Sequence, residues 1–131
     1  MKFKHVKPDF VDDRGEIIRP LSDIIKEKIK SVSLIISEAG AIRGNHYHPK
    51  EGHHMYVVEG EMEYLEKKAN SKKAKIKRIL LKKGDILYTE PMVTHAVIFK
   101  KKSIVFYFSN SYRTKKGDLG DTFREVLTIN K

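Results

Sequence analysis

Short runs of alternating apolar and polar residues, each closed by a turn signal, constrain this chain more than any other feature. Val32, Leu34 and Ile36 alternate with Ser31, Ser33 and Ser37, and Gly40 ends that run. A period of two is the mark of a half-buried strand rather than a helix. Further strands are expected over residues 2–7, from Glu16 to Arg19, over 41–48 and 53–59, at Met62–Leu65, from Ile76 to Leu81, and over Ile86–Thr89, His95–Phe99, Ile104–Ser109 and Phe123–Ile129. Asp12-Asp13-Arg14-Gly15, Gly60 and Lys83-Gly84-Asp85 read as turns, and the lysine-rich stretch 67–75 as a loop. The one helical candidate runs from Pro20 to Ile29. There Leu21, Ile24, Ile25 and Ile29 share a face, and Ser22 or Asp23 is placed to cap. Many short strands with one short helix predict an all-β chain, a small closed antiparallel barrel or jelly roll in which closure removes bare strand edges.

The chain has 131 residues, no long-period repeat and no linker-like tract, so residues 1–131 are read as one domain. With no cysteine, disulfides, thiolate chemistry and iron–sulfur clusters are excluded, and any metal site is left to His, Asp and Glu. No apolar run approaches a membrane span, and Met1-Lys2-Phe3-Lys4-His5 is not followed by the apolar core of an export signal. A cytoplasmic location and no membrane partner are therefore expected. The net charge of +10, from 27 Lys and Arg against 17 Asp and Glu, attracts anions. Most of the lysines fall at loop tips, and the Lys-, Glu- and Ile-rich composition is hyperthermophile-like. No zinc-finger, RNP or helix-turn-helix pattern supports nucleic-acid binding, so the anions expected are small and phosphorylated.

Four of the six histidines have informative spacing. His46 and His48, two apart, point to one face of a strand. His53 follows a short loop and lies in phase with Met55 and Val57, and His95 stands on a later strand that a barrel can bring opposite. Converging neutral imidazoles suit a divalent ion such as Zn, Fe, Ni or Mn, so His46, His48, His53 and His95 are the candidate ligands. His54 should point away from His53. Glu51 and Glu63 are further carboxylates outside the spacing, and His5 is remote.

The pattern Gly40, five residues, His46-Tyr47-His48, four residues, His53, six residues, Gly60 resembles the first motif of the cupin superfamily. Gly84, ten residues, His95 resembles the second, with Pro91 between. The chain departs from the pattern at His53, where cupins usually hold Glu, at Glu90 for the usual Pro, and at Met92 for the usual Gly. The resemblance implies a single cupin double-stranded β-helix, often dimeric, with a metal or substrate in the barrel. Asp13-Arg14-Gly15-Glu16, Ile42-Arg43-Gly44-Asn45-His46-Tyr47-His48 and Tyr107-Phe108-Ser109-Asn110-Ser111-Tyr112 fall in the order of motifs in nucleotide-sugar cupins. These are the dTDP-4-dehydrorhamnose 3,5-epimerases, the dTDP-sugar 3,4-ketoisomerases and the cupin domain of a capsular polysaccharide reductase.

That narrower resemblance implies an epimerase or isomerase of polysaccharide biosynthesis acting on a nucleotide sugar. His46 would remove a proton next to a ketone, Tyr107 would return one from the opposite face, and Arg43 and Asn45 would contact substrate. Those epimerases have lysine at the position of His53 and glutamine at that of His48, and both departures point to a metal-binding variant. His46 would be base or ligand, not both. A non-catalytic cupin binding a small anionic sugar stays open beside this reading, as does an Fe- or Zn-dependent oxygenase or phosphosugar isomerase. A homodimer is expected, with the 2–7 strand pairing with the partner's sheet.

Overall fold

The structure, a computed structural model, describes residues 1–19, 21–112 and 121–128. Its strands are β1 (Lys2–His5), β2 (Phe10–Asp12), β3 (Gly15–Ile17), β4 (Ser31–Ser37), β5 (Ile42–Tyr47), β6 (His53–Glu59), β7 (Glu61–Lys68), β8 (Lys77–Lys82), β9 (Asp85–Thr89), β10 (Val93–Phe99), β11 (Ser103–Ser109) and β12 (Phe123–Arg124), with one helix, α1 (Leu21–Ile24). Two five-stranded antiparallel sheets, in the orders β1-β9-β6-β11-β4 and β12-β5-β10-β7-β8, face each other as a cupin jelly roll, with β2 and β3 as a separate hairpin. Met55, Val57, Met62, Tyr64, Leu81, Leu87, Val97, Phe99 and Val105 fill the space between the sheets. Burial of these side chains from both inner faces is the main stabilising term for a sandwich of this kind.

Three expectations are corrected. In β4 the exposed positions are Val32, Leu34 and Ile36, while Ser33, Ile35 and Ser37 turn inward. The interior there is a cavity lined by Ser33 and Ile35. The helix is a single turn rather than ten residues. Leu21, Ile24 and Ile25 do pack on the outer face of the first sheet against Val6, Tyr56 and Ile86, but Ile29 is exposed. Glu27 leaves the helical path to bond His54 Nε2 with its carboxylate, and a helix this short has little intrinsic stability to oppose that. The third is the last strand, which stops at Arg124. β1 pairs with β9 of its own chain, Lys2 opposite Tyr88 and His5 opposite Asp85, and stands at the edge of its sheet. Pro20 and Ile129, the start of the expected helix and the end of the expected last strand, lie outside the described residues.

One irregularity positions the site. On β5, Arg43 pairs with Val97, Gly44 with Ala96 and His46 with His95, so Asn45 is an extra residue that β10 does not match. Gly44 and Asn45 both have positive φ, +89° and +58°. In an unbroken strand residues 43 and 46 would face opposite sides. The bulge puts both inside, beside the interior residues Val97 and His95. A Cβ on Gly44 would stand 2.7 Å from the His95 carbonyl oxygen, so only glycine allows the two strands to approach.

Gly40 has the same φ of +89° but open space around it. Gly40→Ala should therefore cost only the left-handed penalty of about 1–2 kcal/mol. Gly44→Ala should add the backbone clash, for about 3 kcal/mol or more. Urea unfolding of the two variants measures the difference, and equal stabilities would contradict the close approach at Gly44.

Candidate functional site

Four strands deliver imidazoles or their partners to one end of the barrel. His46 on β5 and His95 on β10 are cross-strand neighbours, with ring centroids 4.8 Å apart. His48, just past the end of β5, lies 4.7 Å from His46 and 5.5 Å from His95. His53, the first residue of β6, lies 5.0 Å from His95 and 5.9 Å from His48. All four histidines singled out by spacing thus converge. His54 points to the outer face as expected, against Tyr88 and Glu27.

The hydrogen bonds fix which nitrogen faces which way. His48 Nδ1 is 2.9 Å from the Asp121 carbonyl oxygen, which can only accept, so Nδ1 carries the proton. Thr122 Oγ1 at 3.0 Å and Glu51 Oε2 at 3.4 Å surround the same nitrogen. Nε2 of His48 is then a lone-pair acceptor. It is buried and has no hydrogen-bond partner among the described residues. His95 Nδ1 likewise donates to the Val93 carbonyl at 3.1 Å, turning its Nε2 lone pair away. A ring N–H tied to a carbonyl or carboxylate is the usual arrangement around a metal-ligating histidine.

Donor atoms of His46, His48 and His95 lie within 4.8 Å of one another, as do those of His48, Glu51 and His53. An orphaned buried Nε2 within a set of imidazoles fits a divalent ion. The orientations favour the first set, since Glu51 sits on the N–H side of His48 and also accepts from Ser109 Oγ at 2.6 Å. Nδ1 of His53 is engaged by the Tyr107 hydroxyl at 2.6 Å, and the two rings stack at 4.1 Å.

His46, His53 and His95 of the cluster line a cavity of about 590 Å³ between β4 and β11 of one sheet and β5 and β10 of the other. Arg43 and Tyr107, both named from the sequence, line it. Arg43 crosses to β4, where Nε donates to Ser37 Oγ at 2.7 Å, leaving an exposed cation at the rim. Asn45 does not line the cavity. Its Oδ1 accepts from the backbone N–H groups of Leu127 and Thr128 at 2.8 and 3.1 Å, and its Nδ2 donates to the Thr128 carbonyl at 2.8 Å. The expected substrate contact is instead an anchor for the C-terminal segment.

Sequence reasoning passed over Ser33, Tyr64, Asp121 and Thr122. Tyr64 lines the cavity with its hydroxyl held by Thr89 Oγ1 at 2.7 Å, and burial pushes its pKa up, so it stays protonated. Its phase on β7 was a usable signal. Nothing in the sequence signalled that residues 121 and 122 return to His48. Among the described residues no lysine lines the cavity, and several pair with surface carboxylates, as Lys101 does with Glu61 and Lys102 with Glu38.

Burial, reinforced by the adjacent His46 imidazole, pushes His95 down to about 3. An unfolded histidine titrates near pH 6.5, roughly, so the folded value is the lower one. The neutral ring's contribution to stability is complete above that pH and is lost as the pH falls toward 3. Chelator-treated protein should lose up to about 1.4 kcal/mol per pH unit in this window from His95 alone. Urea unfolding at a series of pH values should show that component missing in His95→Asn, and an unchanged slope would contradict a buried neutral His95.

Among the described residues, no helix is long and apolar enough to cross a membrane. Among curated proteins none matches the chain in sequence. Of solved structures, the chain is similar to the sugar 3,4-ketoisomerase QdtA of Thermoanaerobacterium thermosaccharolyticum, crystallised with TDP, at 19% identity and a TM-score of 0.73 over 94% of this chain and 86% of that one. It is similar to the RmlC epimerase of Mycobacterium tuberculosis at 18% identity and a TM-score of 0.72, covering 88% of this chain and 65% of that one. It also matches part of CapF, a capsular polysaccharide assembling protein of Staphylococcus aureus, at 21% identity and a TM-score of 0.66, over 90% of this chain and 34% of CapF. These likenesses establish the cupin fold. Residues 10–122 match the polysaccharide biosynthesis C-terminal domain family, and the chain belongs to that family.

Proposed function

We propose that the chain is a metal-binding cupin that isomerises or epimerises a nucleotide-linked keto sugar by moving a proton next to the carbonyl. One observation carries this reading: three imidazoles of a four-imidazole cluster, those of His46, His53 and His95, line a cavity that also presents a tyrosine hydroxyl and a rim arginine. The fold neighbours support the substrate class, since one ketoisomerase structure contains TDP-4-keto-6-deoxyglucose and another TDP. His46, His48 and His95 would hold the ion, whose chemistry when bound is polarisation of a carbonyl oxygen.

His46 is then a ligand, and proton transfer falls to Tyr107. The 2.6 Å bond to His53 Nδ1 supplies a partner that would take up the phenolic proton as the Tyr107 oxygen accepts one from the sugar carbon, and return it as Tyr107 gives one back to carbon. Arg43, which lines the cavity, would meet the diphosphate, since a guanidinium fork matches phosphate oxygens. The same composition of the site serves either a ketoisomerase or an epimerase. A homodimer and a cytoplasmic location remain part of this reading.

Metal content by plasma mass spectrometry on untagged protein should approach one ion per chain. His48→Ala and His95→Ala should each lower occupancy about 10-fold or more, with His5→Ala unchanged. Equal occupancy in all three variants would sink the metal site. In deuterium oxide with TDP-4-keto-6-deoxyglucose, the protein should place deuterium next to the ketone, and Tyr107→Phe should lose that exchange while still binding TDP. Binding of the sugar nucleotide with no exchange in the parent protein would select a non-catalytic binding module.

A further inference from the structure

The C-terminal segment 121–128 is docked almost wholly by polar contacts, and these centre on β5 and the imidazoles. Only Phe123 and Arg124 pair with a strand, opposite Tyr47 and His46. Phe123, stacked on Tyr47 at 5.6 Å, is 48% exposed and Val126 is 46% exposed, so little apolar burial holds the segment. Its anchors are the Asn45 side chain, the Glu125 N–H donating to the Asn45 carbonyl at 2.9 Å, and the Glu125 carboxylate accepting from Thr94 Oγ1. At its start, the Asp121 carboxylate accepts from the N–H groups of Lys50 and Glu51, the turn between His48 and His53. The Asp121 carbonyl and Thr122 Oγ1 meet His48 Nδ1.

We propose that segment 121–128 is a positioning element of the imidazole site: it holds His48 with its Nε2 lone pair turned to the cluster, so that ion binding at His48 and docking of this segment strengthen each other. This rests on the metal reading given above. A segment with few buried apolar contacts opens locally at low free energy. Opening removes the carbonyl that requires the proton on Nδ1, and the ring is then no longer held in the ligating tautomer. By linkage, whatever the docked segment adds to ion affinity, the ion returns as added docking. Asn45 belongs to this device, because the bulge that turns Arg43 and His46 inward also turns its amide onto residues 127 and 128.

The experiment uses the full chain and Zn2+ alone. Hydrogen–deuterium exchange read on peptides covering 121–128 should slow on adding Zn2+. Asn45→Gly, which keeps the positive φ but removes the anchor, should weaken Zn2+ binding about 10-fold in a chelator competition. Phe123→Ala, which removes only a half-exposed ring, should speed exchange of the segment and weaken Zn2+ binding in the same direction. A purely structural segment would show neither Zn2+-dependent exchange nor a change in affinity. Zn2+ bound by the parent with exchange at 121–128 unchanged, or bound equally tightly by both variants, overturns this proposal alone. Failure of the parent to bind Zn2+ overturns the metal reading and this proposal with it.

Discussion

The bulge at Gly44 and Asn45 is the constraint on which the rest of the site depends. It requires positive φ at successive residues and a contact with the His95 carbonyl that leaves no room for a Cβ. From that one backbone irregularity follow the inward turn of both Arg43 and His46, the cross-strand contact of His46 with His95, and the outward turn of Asn45. A regular β5 would place Arg43 and His46 on opposite faces and separate the rim cation from the imidazoles.

Four imidazoles pack with ring centroids 4.7–5.9 Å apart for the pairs in contact. Burial keeps His95 neutral, and backbone carbonyls hold the protons of His48 and His95 on Nδ1. At these two histidines the site presents oriented Nε2 lone pairs, although the chain carries a net charge of +10. Among the described residues, Arg43 is the Lys or Arg side chain that lines the cavity. A set of imidazole donors set apart from a rim cation is what the proposed substrate, with a reactive carbonyl at one end and phosphate at the other, would need.

Much of the fold was legible because strand periodicity and turn residues are local signals. The bounds of β6 were read as found, and those of β5, β9, β10 and β11 to within two residues. The burial of β4 was misread, since alternation gives a period but not a direction. Val32, Leu34 and Ile36 look like a core face until the inner side of that strand proves to be a cavity wall. The helix was over-read for a related reason. An apolar stripe needs only a surface to lie on, and one turn plus an irregular stretch meets that need as well as three turns.

By itself the sequence determined the strand-rich fold, the turns, and the identity of the four histidines, since two-residue spacing and strand phase follow from the pleat of the backbone. Tertiary structure alone decided which nitrogen His48 presents, that His53 is joined to Tyr107, and that Asn45 anchors the C-terminal segment instead of facing the cavity. Those outcomes depend on contacts between residues 54 to 83 positions apart and on a bulge whose positive φ no periodicity encodes. Local pattern can specify which side chains share a face; which groups meet across the barrel is settled only when the sheets close.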